Sequence, residues 1–238
     1  MHTRLLEDSP GTDDKLSSPF EQRFFKTRSV IVTGEINDKL AARVVTQLLA
    51  LADAGDAPIN MFISSPGGHV ESGDMVHDMI KFIRPRVRTI GSGWVASAGA
   101  LIFIGAAKED RYCLPNTRFL LHEPSGGVGG PVTDIQIQAE QLRQMRERFN
   151  KLFAAATGQT PERIAADTAR DFWLNTDEAL AYGLLGKVIS SVTSWNTTRT
   201  RMPIFTASAS SEGKPSSSRT RFVIMRTPSS RSMSATMW

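Results

Sequence analysis

The sequence predicts an α/β domain built on a largely parallel sheet, with one long helix among its strand–helix units. Short β-branched runs that end near glycine alternate with segments whose apolar residues recur at helical spacing. Strands that alternate with helices are typical of parallel sheets. Hydrophobic residues make up 40% of the 238 residues, which is enough to bury one sizeable core.

The first half of the pattern predicts two strands and two helices. Ser29–Thr33 is a β-branched run that ends at Gly34, and Ile59–Ser64 is a second strand that runs into a Ser-Pro-Gly-Gly turn. Between these strands, apolar residues at helical spacing predict a helix that Gly55 closes. A second helix is predicted through Met75, Met79 and Phe82, and it ends before Pro85.

The second half predicts short strands and a long helix. Val87–Ile90 is expected to be a strand, followed by a glycine-containing turn and an apolar helix from about Ser97. Two short strands are expected, one around Cys113 and one at residues 119–121, and a glycine-rich loop covers residues 125–130. The helix at residues 134–153 carries one apolar stripe, formed by Ile135, Ala139, Leu142, Met145, Phe149 and Leu152.

Polar segments are expected to flank this domain, which the sequence places at residues 20–194. Residues 1–19 are polar and contain Pro10, Gly11 and Pro19, so they are predicted to be a mobile arm. Residues 195–238 are rich in Ser, Thr and Arg with no amphipathic period, so they are predicted to be disordered. The tail carries the basic charge of the chain. Nucleic-acid binding is therefore not expected of the domain, which has no basic stripe.

Composition also bears on location and cofactors. Cys113 is the only cysteine, so no disulfide can form within the chain and no cysteine cluster can bind metal. The first 28 residues do not resemble a secretory signal. The uncharged run from Thr89 to Ala107 contains four glycines, which favour a strand, a turn and a buried helix over a membrane span. We therefore expect a cytoplasmic protein without membrane attachment, cofactor or metal.

Two small-residue turns could support acyl-transfer chemistry. Ser97 lies between small residues where a strand meets a helix, so that a substrate carbonyl could approach its hydroxyl and helix N–H groups could face developing negative charge. Ser65-Pro-Gly-Gly68 offers further exposed amides. Turns of this kind more often serve packing alone, so these residues by themselves leave the chemistry open.

A serine nucleophile needs a base, and the chain has four histidines. His2 lies in the arm, and His77 is expected to be solvated on an amphipathic helix. His69 follows the double glycine and could reach a site or be an ordinary loop residue. His122 ends a predicted strand directly before the glycine-rich loop, a common position for catalytic groups, although a strand-end histidine is also often structural.

Seven motifs in register resemble the proteolytic subunit of Clp protease (the ClpP family of the crotonase-like superfamily). The resemblance runs from about Phe20 to about Ser194. The motifs are Ser65-Pro-Gly-Gly68, Ala96-Ser-Ala-Gly99, Cys113-Leu-Pro-Asn116, Leu121-His-Glu-Pro124, Thr157-Gly-Gln159, Asp167-Thr-Ala-Arg-Asp171 and Glu178-Ala-Leu-Ala-Tyr-Gly183. The fold this resemblance implies is a single domain of repeated strand–strand–helix units with a long handle helix.

The resemblance also implies roles for individual residues. Ser97 matches the family nucleophile, His122 its general base and Asp171 the acid that orients the imidazole, with Asp167 as a rival by composition. The amides of Gly68 and Ala98 match the oxyanion hole. The stretch Ser125, Gly126 and Gly127 resembles the segment that binds an extended peptide by backbone pairing.

Assembly and partners are implied in the same way. The helix at residues 134–153 resembles the handle that joins two stacked heptameric rings of identical subunits, and Arg170 resembles an inter-ring ion-pairing residue. Substrates would be unfolded proteins and short peptides. A separate Clp-type AAA+ ATPase would supply unfolding, because the chain contains no Gly-x4-Gly-Lys-Ser/Thr nucleotide-binding loop.

Three alternatives follow from the same residues. An enoyl-CoA hydratase or isomerase would need acidic catalysts in place of Ser97 and His122. A serine–lysine signal-peptide peptidase could use Lys108 as base, but would want a membrane anchor. A ring subunit with a weakened site that mainly scaffolds an assembly is the third, because Ala98 stands where the family commonly has Met.

Overall fold

The computed structural model describes residues 19–127 and 129–191. The strands of this part are β1 Ser29–Thr33, β2 Ile59–Ser65, β3 Val87–Ala96, β4 Arg111–Cys113, β5 Arg118–Leu121, β6 Phe172–Leu174 and β7 Lys187–Val188. The α-helices are α1 Pro19–Lys26, α2 Asp38–Asp53, α3 Val70–Phe82, α4 Ala98–Phe103, α5 Val132–Thr157, α6 Pro161–Thr168 and α7 Thr176–Tyr182, with a short 3-10 helix at Lys108–Asp110. The arm predicted to end at residue 19 therefore gives way to a helix at Pro19, and its residues 1–18 and the predicted tail lie outside the described residues.

The strands form one seven-stranded sheet that is parallel except at one edge. Its main path runs β1-β2-β3-β4-β7, and every pair along it is parallel. β5 pairs in parallel with the last part of β3, and β6 lies antiparallel to β5. The predicted fold class, an α/β domain with a largely parallel sheet, is confirmed.

β3 is longer than the sequence suggested, and its extra length ends directly before Ser97. The strand does not end at Ile90 but continues to Ala96. Its first part pairs with β2 and β4, and its last part pairs with β5. The glycines that predicted a turn instead accommodate a register irregularity against β2, where Gly93 has a φ of 67°.

α2 packs one apolar face on the sheet, as its periodicity predicted. Asn37 caps the helix by accepting a hydrogen bond from the Leu40 amide at 3.0 Å. The buried side chains of α2 recur at helical spacing and are Leu40, Ala41, Val44, Val45, Leu48 and Leu51. In the same core cluster, Phe103 and Phe119 are fully buried with ring centroids 5.3 Å apart. Burying each such side chain contributes about 1.5–3 kcal/mol to the free energy of unfolding.

α3 is a helix as predicted, but its buried face is not centred on the apolar residues whose spacing predicted it. Phe82 and Met75 are 77% and 46% exposed, whereas His77, expected to be solvated, is only 2% exposed. The Nδ1 atom of His77 lies 2.9 Å from the Leu101 carbonyl of α4. The buried face is instead the one that small residues allow to approach α4 closely, since Gly73 packs against Ala98. Burial lowers the pKa of His77 below its ordinary value.

The long helix α5 extends the predicted range at both ends, from Val132 to Thr157. Only its last part belongs to the core, where Phe149 and Phe153 pack with ring centroids 4.3 Å apart. The N-terminal part leaves apolar side chains at the surface, because Val132 is 72% and Ile137 54% exposed. No helix among the described residues is long and apolar enough to span a bilayer.

Candidate active site

Ser97 stands at the junction between β3 and α4 in a strained backbone conformation. Its φ of 53° and ψ of −121° lie in a region that residues with a side chain rarely adopt. The Ser97 amide donates to the Leu120 carbonyl at 2.9 Å, and the Ser97 carbonyl accepts from the amides of Ala100 and Leu101. A non-glycine residue held in this way costs on the order of 1–3 kcal/mol and is typical of functional sites. The turn therefore presents a partly exposed hydroxyl at the end of a central strand.

The turn after β2 lies directly against Ser97. A side chain at Gly67 would place its Cβ 2.5 Å from the Ser97 Cβ and 2.9 Å from the Ala96 carbonyl oxygen. Gly67 itself has a φ of 97°, a conformation that favours glycine. Only glycine permits this approach, so the residue serves the site by its lack of a side chain. From the sequence alone, Gly67 had no role separate from that of the double-glycine turn.

The two amides predicted to form an oxyanion hole are both available. Gly68 is exposed with a φ of 144°, and Ala98 is the first residue of α4. Within the described residues, neither amide donates a hydrogen bond to another group of the chain. Both can therefore donate to a developing oxyanion.

Strand pairing brings His122 and Asp171 to the same edge as Ser97. Ala96 pairs with Leu120 across β3 and β5, and Leu121 pairs with Phe172 across β5 and β6. Ser97 directly follows Ala96, while His122 follows Leu121 and Asp171 precedes Phe172. The three predicted catalytic residues therefore lie next to residues that pair with, or belong to, the last two positions of β5. The pairing of β5 with β6, two strands that lie far apart along the chain, carries this convergence.

His122 and Asp171 share a cavity of about 450 Å³. Its lining residues are His122, Glu123, Ser125, Thr168, Ala169, Arg170 and Asp171. Within the described residues, no hydrogen bond joins the side chains of Ser97, His122 and Asp171 to one another. Catalytic hydrogen bonds are often long or poorly aligned before substrate binds.

Asp167, the rival orienting acid, is already engaged elsewhere. Its Oδ2 lies 2.6 Å from Nε of Arg163, and Tyr182 donates its hydroxyl to the same oxygen at 2.8 Å. Burial and this hydrogen bond raise the pKa of Tyr182, so the phenol remains a donor. Asp167 therefore fastens α6 to α7, and the exposed Asp171 is left as the acid beside His122.

The loop after His122 becomes exposed from Ser125 onward. Glu123 donates its amide to the Thr168 carbonyl at 3.0 Å, and its Oε2 lies 2.8 Å from Nε of Arg146 on α5. Ser125, Gly126 and Gly127 are exposed and belong to no strand or helix. Their backbone is consequently open to pairing with another chain. The described part of this segment is a loop, as its glycines predicted.

Lys108, the base of the serine–lysine alternative, lies far from Ser97. It precedes β4, whose first residue Arg111 pairs with Thr89 near the start of β3. Ser97 follows the last residue of β3, at the opposite end of the strand. This separation argues against a Ser97–Lys108 pair. The described residues also contain no group of three or more metal-binding side chains.

Comparison with known proteins identifies the family of the chain. The family model described as Clp protease matches residues 13–192. The chain belongs to the Clp protease family. The family relationship makes it a serine-type peptidase, a hydrolase.

Relatives match most of the chain. The ATP-dependent Clp protease proteolytic subunit of Paracoccus denitrificans is 74% identical over 163 residues, which are 68% of this chain and 82% of the relative. Proteolytic subunit 3 of Rhizobium meliloti is 54% identical over 186 residues, 78% of this chain and 95% of the relative. The solved structure of ClpP1 from Listeria monocytogenes has a TM-score of 0.67 at 48% identity and covers 74% of this chain and 98% of its own.

Proposed function

We propose that this chain is the serine endopeptidase subunit of an ATP-dependent Clp-type protease. Its substrates would be unfolded proteins and short peptides. The observation that carries the proposal is the strained Ser97 at the end of β3, with Gly67 packed against it and His122 and Asp171 brought to the same sheet edge.

The proposed mechanism uses each residue in one role. His122 takes the proton of the Ser97 hydroxyl as Oγ attacks the peptide carbonyl, and Asp171 orients and stabilises the imidazolium. The oxyanion accepts hydrogen bonds from the amides of Gly68 and Ala98. His122 then gives its proton to the leaving amine, and water hydrolyses the acyl-enzyme by the reverse sequence.

Substrate binding would use the exposed backbone after His122. Ser125, Gly126 and Gly127 carry no paired backbone groups in a strand, so an extended peptide could add to this edge. Such binding selects unfolded chains, because a folded protein seldom presents a free extended segment. Short peptides would satisfy the same requirement.

The assembly is proposed to be two stacked heptameric rings of this subunit joined through α5. The apolar side chains that α5 exposes, among them Val132, Ile135 and Ile137, are consistent with burial against another copy. A closed chamber would admit peptides but exclude folded domains, so unfolding would need a Clp-type AAA+ ATPase. Light scattering is expected to give a mass of many subunits, and a monomer at micromolar concentration would refute the ring proposal. A cytoplasmic location is part of this proposal and can be checked by fractionation.

Matched variants test the proposed triad. For a fluorogenic peptide, kcat is expected to fall about 10⁴-fold or more in Ser97→Ala and in His122→Ala. It should also fall substantially in Asp171→Asn. Asp167→Asn is the matched control, because Asp167 binds Arg163 and Tyr182 and should affect stability more than kcat. Undiminished turnover by Ser97→Ala would refute the assignment. Equally low turnover by the unmodified protein would favour the scaffolding alternative.

A folded substrate tests the dependence on an ATPase. The purified protein is expected to cleave short peptides slowly and to leave a stably folded protein intact until a cognate ATPase and ATP are added. Rapid digestion of the folded protein without ATP would contradict the closed chamber, even if Ser97 remained the nucleophile.

A further inference from the structure

The loop that carries the Gly68 amide is attached to the turn between β1 and α2. Ile36 donates its amide to the Gly67 carbonyl at 2.8 Å, and His69 donates its amide to the Ile36 carbonyl at 2.8 Å. Gly68 lies between these two bonds and forms an isolated parallel bridge with Ile36. A Cβ on Gly68 would lie 2.2 Å from the Ile36 carbonyl oxygen. The position of the Gly68 amide is therefore set by contact with Ile36.

Side chains connect the same two segments a second time. The hydroxyl of Ser72 donates to Oδ1 of Asp38 at 2.6 Å, and Nδ1 of His69 lies 2.8 Å from the Ser72 Oγ. Because Ser72 gives its one hydrogen to Asp38, the bond from His69 must be an Nδ1–H donating to Ser72. The other ring nitrogen, Nε2, lies 3.1 Å from a carboxylate oxygen of Glu71.

This second serine–histidine–aspartate group is not arranged for nucleophilic attack. The Ser72 hydroxyl points its proton at a carboxylate rather than at the imidazole, and Ser72 is only 3% exposed. A serine nucleophile would instead donate its proton to the histidine and face solvent or substrate. The group can therefore act on the reaction only through what it holds in place.

We propose that His69, together with Ser72 and Asp38, is a positioning unit for the oxyanion hole. It fixes His69, the residue directly after Gly68, onto α2, and so fixes the direction of the Gly68 amide. This inference rests on the proposed function, since it assigns the Gly68 amide to the oxyanion. His69 is a positioning residue here and does not contact the reacting atoms.

The expected effect is on catalytic rate rather than on stability. The side chains of Asp38 and His69 are 86% and 54% exposed, and exposed ion pairs contribute little to the free energy of unfolding. A displacement of about 1 Å in an active site can lower the rate about 100-fold. A partial release of the loop should thus lower kcat roughly tenfold, while KM for a peptide changes less than about twofold.

The experiment compares single and double variants of the full-length protein. His69→Ala and Ser72→Ala are each expected to lower kcat roughly tenfold, and the double variant is expected to be no worse than either alone, because the residues act as one unit. His69→Asn should recover most of the activity, since its amide nitrogen can take the place of Nδ1. The control for Asp38→Asn is Asp53→Asn, at the exposed far end of α2. This control variant should keep the kcat of the unmodified protein.

The outcomes separate this inference from the proposed function. If the unmodified protein cleaves peptides through Ser97 and the His69 and Ser72 variants retain its kcat, the positioning unit is refuted and the serine mechanism stands. Multiplicative losses in the double variant, or a rise in KM with kcat unchanged, would also refute it. If the unmodified protein neither cleaves peptides nor reacts at Ser97, the proposed function fails, and this inference fails with it.

Discussion

Replacing Gly67 with alanine should disable the site without removing any catalytic group. The new Cβ would lie 2.5 Å from the Ser97 Cβ, whereas ordinary contacts begin near 3.4 Å. The turn must therefore move away from Ser97 by about 1 Å, and a misplacement of that size costs on the order of 100-fold in rate. Because Gly67 has a φ of 97°, an alanine there should also lower the free energy of unfolding by about 1–3 kcal/mol.

A matched glycine separates the contact from the backbone penalty. Gly158, at the C-terminal end of α5, has a φ of 83°, but a Cβ added there would meet no atom within 4 Å. Gly158→Ala should therefore lose stability and keep its kcat. Peptide turnover and thermal unfolding, measured on both variants, distinguish the contact with Ser97 from the backbone penalty. If Gly67→Ala keeps the kcat of the unmodified protein, the turn does not lie against Ser97 as described.

Three further predictions concern other parts of the chain. Burial lowers the pKa of His77, so the unfolded state binds a proton more readily, and the folded protein should lose stability as pH falls below about 6.5. In chemical denaturation, His77→Gln should lose less stability than the unmodified protein between pH 7 and pH 5, and an unchanged pH dependence would contradict this. Burial raises the pKa of Cys113 to about 12, so iodoacetamide should not label it at pH 8 until the protein is unfolded; rapid labelling of the folded protein would be the contrary result. A chain ending after Trp195 should keep its melting temperature and its peptidase activity, because the Ser/Thr/Arg-rich segment has no apolar period to pack; a large fall in melting temperature would place that segment in the core.

Local sequence patterns predicted the elements that depend on local signals. The β-branched run at Ser29–Thr33 became β1 with the same bounds, and the periodic helix α2 buries the residues that its spacing indicated. Both cases need only the neighbours along the chain. The extent of β3 was missed because its last three residues pair with β5, a strand that follows it in sequence.

The errors on α3 have the same origin. The spacing of Met75, Met79 and Phe82 fits a helix, but a helix alone does not say which face meets a neighbour. Packing of α4 against Gly73 and His77 decided that, and α4 lies more than twenty residues away. No periodicity within α3 carries this information.

The candidate site depends on contacts that local sequence patterns do not carry. Ser97, His122 and Asp171 came from resemblance, and their convergence depends on pairing between β3, β5 and β6. Gly67 was missed as a separate contributor, although a double glycine beside a serine turn could have suggested a close approach. The network around His69 joins residues 34 positions apart, which only the packing of α2 beside α3 brings together.

Labelling with a serine-directed fluorophosphonate tests whether Ser97 is the nucleophile. The reagent should attach to one residue of the native protein, and peptide mapping should place it on Ser97. His122→Ala should abolish the labelling because the hydroxyl then lacks its base, whereas Asp167→Asn should retain it. Labelling of Ser72 or of another serine, or undiminished labelling of Ser97 without His122, would contradict the account.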